Sequence, residues 1–376
     1  MPFCYSPWTN IDISPQGKIS PCCKFKHDHY PESAIDINTD SIAQYITSPV
    51  LRDVKEQFKQ GQWPAGCTRC QIEEENNIES KRMLDYTRWQ PYYESYNIES
   101  DKFITASVAF GNTCNLKCIT CDPNSSSKWQ SEYRQIYNID ILPSKFYKED
   151  FVKEFADLAP ELVHLDVPGG EPFLSGVDEQ RALLQQWIDS GQSKDITLHY
   201  TTNGTLWPDE SWWKIWQQFK HIDMQISIDG VGRRYEYIRF PGKWAKLTSN
   251  VDRYLEQLVL LPNLQVSVSH TVSAYNIYYL DEFFTWCNSA GLPRPWAGRV
   301  HNPVHMRPSV WNRAANDTIV AHLKESAHPD VITWAALLEN SDDSTHFEEF
   351  KMRLHQHDRA RNLNFKSVFP ELAQWV

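Results

Sequence analysis

The chain has 376 residues, 41% apolar and 23% charged, which suits one large α/β domain with an appended module and excludes a disordered polymer. A formal charge of −11 argues against a phosphate-binding surface, so nucleic acid is not an expected partner. No apolar run reaches the ~18–20 residues that cross a bilayer, and the opening MPFCYSPWTNIDI lacks the basic and apolar regions of a secretory signal; the expectation is a cytoplasmic protein with no membrane partner.

Residues 1–95 carry five of the nine cysteines, at positions 4, 22, 23, 67 and 70. An odd, clustered set without a signal peptide points to metal rather than to disulfides. Ile11–Ile19 reads as a β-hairpin turning at Gly17, and such a hairpin brings distant cysteines together. One helical stretch is expected over Ser41–Gln60, then a C-x2-C pair at Cys67 and Cys70. Glu79-Ser80-Lys81-Arg82 reads as a helix surface with a solvated Arg82, and His27 and His29 as loop histidines.

From about Phe103 to Val300 short β-rich runs alternate with longer helical ones. Strands are expected at Ile104–Phe110, Leu162–Val167, Asp195–Thr201, Ile222–Asp229, Leu264–Val272 and near Ala297–His301. Helices are expected at Ser126–Tyr137, Lys148–Leu158, Asp178–Ser190, Asp209–Phe219 and Trp244–Leu260, the first capped by serine hydroxyls. This alternation predicts a parallel sheet with right-handed crossovers. Cys287, alone on the helical run Leu280–Ser289, reads as a core thiol. Beyond Pro303 the tail is mostly helical, at Ala315–Glu325, Val331–Leu338 and Thr345–His357, with packing as its role.

The chemistry concentrates after the first of these barrel strands. Cys114, Cys118 and Cys121, in CNLKCITC, stand at x3 and x2 gaps. Thiolates are soft ligands that favour iron–sulfur clusters or zinc. Three of them leave one iron of a cubane without a protein ligand, free for the amino and carboxylate groups of an exogenous molecule. CNLKCITC resembles the C-x3-C-x2-C signature of the radical S-adenosylmethionine (SAM) superfamily. Val167-Pro168-Gly169-Gly170-Glu171-Pro172 is similar to that family's GGEP turn, and His199-Tyr200-Thr201-Thr202-Asn203-Gly204 resembles its TNG segment. The resemblance implies that Cys114, Cys118 and Cys121 hold a catalytic 4Fe–4S cluster. It further implies that Gly169, Gly170 and Glu171 receive the SAM amino group. Ser227, Asp229 and Asn203 are candidates for the ribose hydroxyls and carboxylate, and Arg239 for the carboxylate.

Cys4, twelve residues, Gly17, four residues, Cys22, and then Cys67-x2-Cys70 resemble the SPASM and twitch modules of radical SAM enzymes. That implies a second, auxiliary 4Fe–4S cluster on Cys4, Cys22, Cys67 and Cys70. Here the module precedes the barrel, whereas the better-known arrangement places it after. The further cysteines of a full SPASM domain are missing, so one auxiliary cluster is expected and twitch-like is the closer name. Cys23, beside Cys22, is the alternative ligand, and a four-cysteine zinc site is the alternative centre.

The implied fold is α/β: a partial (β/α)6 TIM-like barrel over 96–302, a twitch-like domain over 1–95 and a helical C-terminal extension over 303–376. The implied activity is reductive cleavage of SAM to a 5′-deoxyadenosyl radical that takes hydrogen from a substrate. The substrate is expected to be a ribosomally made peptide, with dehydrogenation of a small molecule as the alternative and an electron donor such as flavodoxin or ferredoxin as partner. A non-catalytic metal-binding interaction protein is the rival class.

Overall fold

The structure is a computed structural model that describes residues 2–30, 35–76, 78–100, 102–139 and 150–376. Its strands are β1 (Asn10–Ile13), β2 (Ile19–Ser20), β3 (Thr105–Val108), β4 (His164–Val167), β5 (Thr197–Thr202), β6 (His221–Ser227), β7 (Leu264–Val272) and β8 (Trp296–Arg299). From β3 onward they alternate with helices along the chain, and the pairings are parallel except that of β1 with β2. This is the α/β class, with parallel strands and helices alternating along the chain. The chain forms two compact units, 1–113 with 143–200 and 208–222, and 114–142 with 201–207 and 223–376.

In the first unit β1 and β2 form the expected hairpin, with Gly17 at φ 87°, a left-handed value that glycine adopts without strain. The hairpin does not stand alone. β1 also pairs in parallel with β3, Asn10 against Thr105 through Ile13 against Val108, so the cysteine-rich segment is built into the ladder. β3 pairs with β4 and β4 with β5. One face of these strands is apolar, with Ile11, Ile13, Ala106, Val108, Leu165, Val167, Leu198 and Tyr200 all buried. On the other face the register sets Asp12, Ser107, Asp166 and His199 in one row. Parallel sheets covered on both sides usually read as continuous apolar runs; here every second position is polar.

Within the second unit β7 pairs in parallel with β8. Val266, Val268 and Val272 are buried, whereas Ser267, Ser269 and Thr271 are half-buried and Ser267 donates to Asp223 at 2.9 Å. Cys287 is fully buried, as its place on a core helix requires. The tail contributes helices Arg313–Lys324, Pro329–Glu339 and Phe347–Arg361.

Three helix boundaries differ from expectation for local reasons. The stretch 41–60 is two helices, Ile42–Ile46 and Pro49–Lys59. Ser48, extended at ψ 147° ahead of Pro49, cannot continue the first helix and instead caps the second. The run 126–137 divides into a 3-10 turn at Ser127–Trp129 and a helix at Gln130–Tyr137, and the Ser126 hydroxyl does not cap it. It donates to the Leu116 carbonyl at 2.6 Å. The helix expected from Lys148 is seen over Phe151–Leu158; Lys148 and Glu149 lie outside the described residues. Among the described residues no helix is long and apolar enough to cross a membrane.

Candidate functional site

The loop Cys114–Cys121 belongs to the second unit and is pinned at four backbone points. Lys117 N–H donates to Phe240 O at 2.7 Å and Ile119 N–H to Ile238 O at 2.8 Å. Leu116 O accepts from Ser126, and Cys118 O accepts from the Trp129 indole at 2.9 Å. Leu116 and Ile119 are buried, which leaves Cys114, Cys118 and Cys121 half-exposed on the open side of the loop. Between the cysteines, Leu116 and Ile119 are the buried anchors, while Asn115 bonds Thr205 and Asn203 and Lys117 pairs with Glu132.

Two of the expected cofactor residues reach these thiols. Asn203 Nδ2 lies 3.8 Å from Cys114 Sγ, and Arg239 Nη1 lies 3.8 Å from Cys118 Sγ. Asn203 also donates to Asn115 Oδ1 at 2.8 Å and accepts from the Thr205 hydroxyl at 2.6 Å, while Asn115 donates to Thr205 at 2.8 Å. Arg239 is ion-paired to Asp229, Nε to Oδ2 at 2.8 Å, close but misaligned for a hydrogen bond. Asp229 is fully buried, and its other oxygen accepts from the Thr271 amide at 2.8 Å. Asp229 thus aims Arg239 at Cys118. Ser227 ends β6, half-buried.

Burial pushes the Cys118 thiol up to about 11, with Arg239 pulling the other way. Burial, then the neighbouring Cys118 thiol and Asp122, raises Cys121 well above the usual thiol range. Without metal these thiols keep their protons, so loading them with iron displaces protons.

Gly169, Gly170 and Glu171 follow β4 in the first unit and seat against the exit of β3. A Cβ on Gly169 would lie 2.7 Å from Ala109 Cβ, and one on Gly170 would lie 2.3 Å from the Thr113 carbonyl oxygen. Glu171 N–H donates to that same oxygen at 2.7 Å, and the residue is fully covered. Thr113 is bonded directly to Cys114, so this turn braces the residue from which the cysteine loop departs. Only glycine permits so close an approach.

In the first unit Cys4, Cys22, Cys67 and Cys70 line one pocket together with Lys81 and Arg82. The β1–β2 hairpin returns the chain to Cys22. Helix Thr68–Glu75 starts from Cys67 and carries Cys70 within its first turn. Trp8, Phe25, Val54 and Phe58 pack behind them, so tightly that a Cβ on Gly66 would lie 2.3 Å from the Phe25 ring. Cys23 is exposed and does not line the cavity. Arg82 is half-buried, paired with Glu74 at 2.5 Å and donating to Phe3 O at 2.9 Å, contrary to the solvated role expected for it. Lys81 pairs with Asp85 at 2.8 Å. Burial raises the thiols, Cys4 to about 11 and Cys22 and Cys67 above the usual range. Among the described residues no three His, Cys, Asp or Glu side chains close on a point suited to a single ion.

Sequence reasoning missed a buried group under the cysteine loop. Glu132 accepts from Arg361 Nε at 2.7 Å and pairs with Lys117 and with His357. Arg361 also donates to the Lys117 carbonyl at 2.8 Å. Trp129, Asn115 and Thr205 were likewise unforeseen. The separation of 229 residues between Glu132 and Arg361 leaves no local signal.

Two sets of free thiols thus stand on an α/β frame. Residues 4–71 match the SPASM model, an iron–sulfur cluster-binding domain. No curated protein matches the chain. Among solved structures it is similar to anSMEcpe with bound AdoMet (20% identity, TM-score 0.40, covering 54% of this chain and 53% of that one). It is also similar to Streptococcus suis SuiB bound to precursor peptide SuiA (12%, 0.39, 85% and 64%) and to TYW1 with a lysine-pyruvate adduct (13%, 0.38, 70% and 90%). The chain spans about half the length of anSMEcpe.

Proposed function

We infer that this chain is a radical SAM enzyme whose catalytic 4Fe–4S cluster is held by Cys114, Cys118 and Cys121, with an auxiliary cluster on Cys4, Cys22, Cys67 and Cys70. The observation that carries the reading is the cysteine loop itself: three half-exposed thiols on a pinned backbone, with Asn203 and Arg239 each 3.8 Å from a sulfur. When bound, the cluster and SAM supply an electron and a 5′-deoxyadenosyl radical that takes hydrogen from substrate.

The residues of the chain bind and orient. Gly169 and Gly170 offer backbone carbonyls to the SAM ammonium, and the covered Glu171 holds their turn. Arg239, fixed by Asp229, faces the SAM carboxylate; Asn203 and Ser227 are the polar contacts for carboxylate and ribose. Arg82 and Lys81, each paired with a carboxylate, line the pocket of the auxiliary cluster. Domains follow this division of labour: 1–95 for the auxiliary cluster, 96–302 for SAM chemistry and 303–376 as the extension.

The substrate is a peptide. The SuiB neighbour is described with a bound precursor peptide. A low-potential donor such as flavodoxin or ferredoxin supplies the electron. The test is anaerobic reconstitution followed by dithionite and SAM, with 5′-deoxyadenosine measured by mass spectrometry. The wild type forms it and C114A/C118A/C121A does not; product from the triple variant would overturn the assignment.

A further inference from the structure

The C-terminal extension does more than pack. Its helix Phe347–Arg361 ends in a side chain with no exposure at all, and that side chain reaches the backbone of the cysteine loop. Arg361 Nη2 donates to the carbonyl of Lys117, the residue before Cys118, at 2.8 Å. Its guanidinium lies 4.7 Å from the centroid of Trp129, whose indole holds the Cys118 carbonyl, and 5.4 Å from Phe240, whose carbonyl holds the Lys117 amide. Arg361 therefore adds a fifth backbone anchor to the loop and borders two of the other four, those made by Trp129 and Phe240.

The charges around it do not cancel. Glu132, 2% exposed, is shared by Arg361 and Lys117, while burial pushes the third partner, His357, toward its neutral form. Asp229 and Arg239 on the other side of Cys118 make a neutral pair. Among Glu132, Lys117, Arg361, Asp229 and Arg239 the formal charges sum to +1, and an arginine retains its proton at every working pH.

We propose that Arg361 is a positioning residue for the catalytic centre, placing a buried positive charge under Cys118 that raises the reduction potential of the cluster on Cys114, Cys118 and Cys121. The proposal rests on the assignment of that cluster. Reduction adds one electron from dithionite or the natural donor to the cluster core and makes or breaks no bond. The reduced state is more negative by one charge, so a nearby cation stabilises it more than the oxidised state.

The charge account predicts an order that a purely structural role does not. Glu132, Lys117 and Arg361 sum to +1 in the wild type, to zero in R361Q, to +2 in E132Q, and to +1 again in E132Q/R361Q. Each full-length variant is reconstituted anaerobically and titrated potentiometrically, with the reduced cluster read by electron paramagnetic resonance. The C114A/C118A/C121A chain supplies the auxiliary-cluster spectrum for subtraction. R361Q should be reduced about tenfold less at a fixed potential, equivalent to ~59 mV for one electron. E132Q should shift the opposite way, and the double variant should return close to wild type. If R361Q loses iron, the opposed positions of E132Q and the double variant still decide the matter. Equal potentials across the series, or shifts of one sign in both single variants, would overturn the role of Arg361 while leaving the cluster assignment intact. A subtraction that leaves no signal in the wild type would instead remove the assignment itself.

Discussion

Replacing Asp229 with Asn tests how Arg239 is held. The substitution keeps an acceptor for the Thr271 amide, now 2.8 Å away, and removes only the charge facing Arg239. Arg239 is 9% exposed, so its guanidinium would be left in the interior with no carboxylate beside it. Breaking a buried pair on one side costs about 3–5 kcal/mol, whereas replacing both partners by groups of similar volume is close to neutral. D229N and R239M should therefore each destabilise the chain by about 3–5 kcal/mol, and D229N/R239M by far less than their sum. Urea unfolding of the four iron-free chains, followed by circular dichroism, gives the coupling energy, expected to exceed ~2 kcal/mol. Additivity within ~0.5 kcal/mol would refute the claim that Asp229 positions Arg239 through a buried ion pair.

Other substitutions probe the remaining parts. G170A would place a methyl 2.3 Å from the Thr113 carbonyl oxygen, so the turn must move; SAM affinity by equilibrium dialysis should fall at least tenfold, and wild-type affinity would remove this turn from the cofactor site. C22S should lose about four irons per chain by colorimetric count and C23S none, and the reverse result would exchange the two as auxiliary ligands. Burial raises Asp12 to about 6, opposed by hydrogen bonds from Ser107 and Ser20. A carboxyl raised on folding stabilises the native state below its unfolded value and loses that contribution as pH rises from about 4 to 6. D12N should therefore flatten the loss of stability over that window and gain up to ~3 kcal/mol at pH 7; an unchanged slope would show that Asp12 ionises freely in the fold.

The strands from β3 to β8 were legible because alternation with helices is a local pattern, and Leu264–Val272 agrees to the residue. The hairpin at Gly17 was legible for the same reason. Its parallel pairing with β3 was not, because Asn10 and Thr105 meet across a long connection that no periodicity records. Alternation in NIDI, TASV and HLDV did carry a signal for the polar row, since a sheet face meant only for packing has no use for Asp12 and Asp166. Spacing singled out the cysteines because ligand geometry restricts their separations along the chain. The residues that hold the loop lie far from it in sequence: Ile238 and Phe240 act through backbone carbonyls that any side chain provides, and Glu132 and Arg361 look like surface charges until the tail helix covers them. Pro49 shows the converse, a single residue whose rigid ring predicts a helix boundary once its effect on Ser48 is considered.

On the proposed assignment, three thiolates leave one iron of the catalytic cluster to SAM. Mössbauer spectra of the 57Fe-reconstituted protein, taken with and without SAM, test it most directly. One iron of the cluster on Cys114, Cys118 and Cys121 should change its parameters when SAM is added, while the other three and the auxiliary cluster stay as they were. Spectra that SAM leaves unaltered, with every iron in the same thiolate environment, would contradict the account.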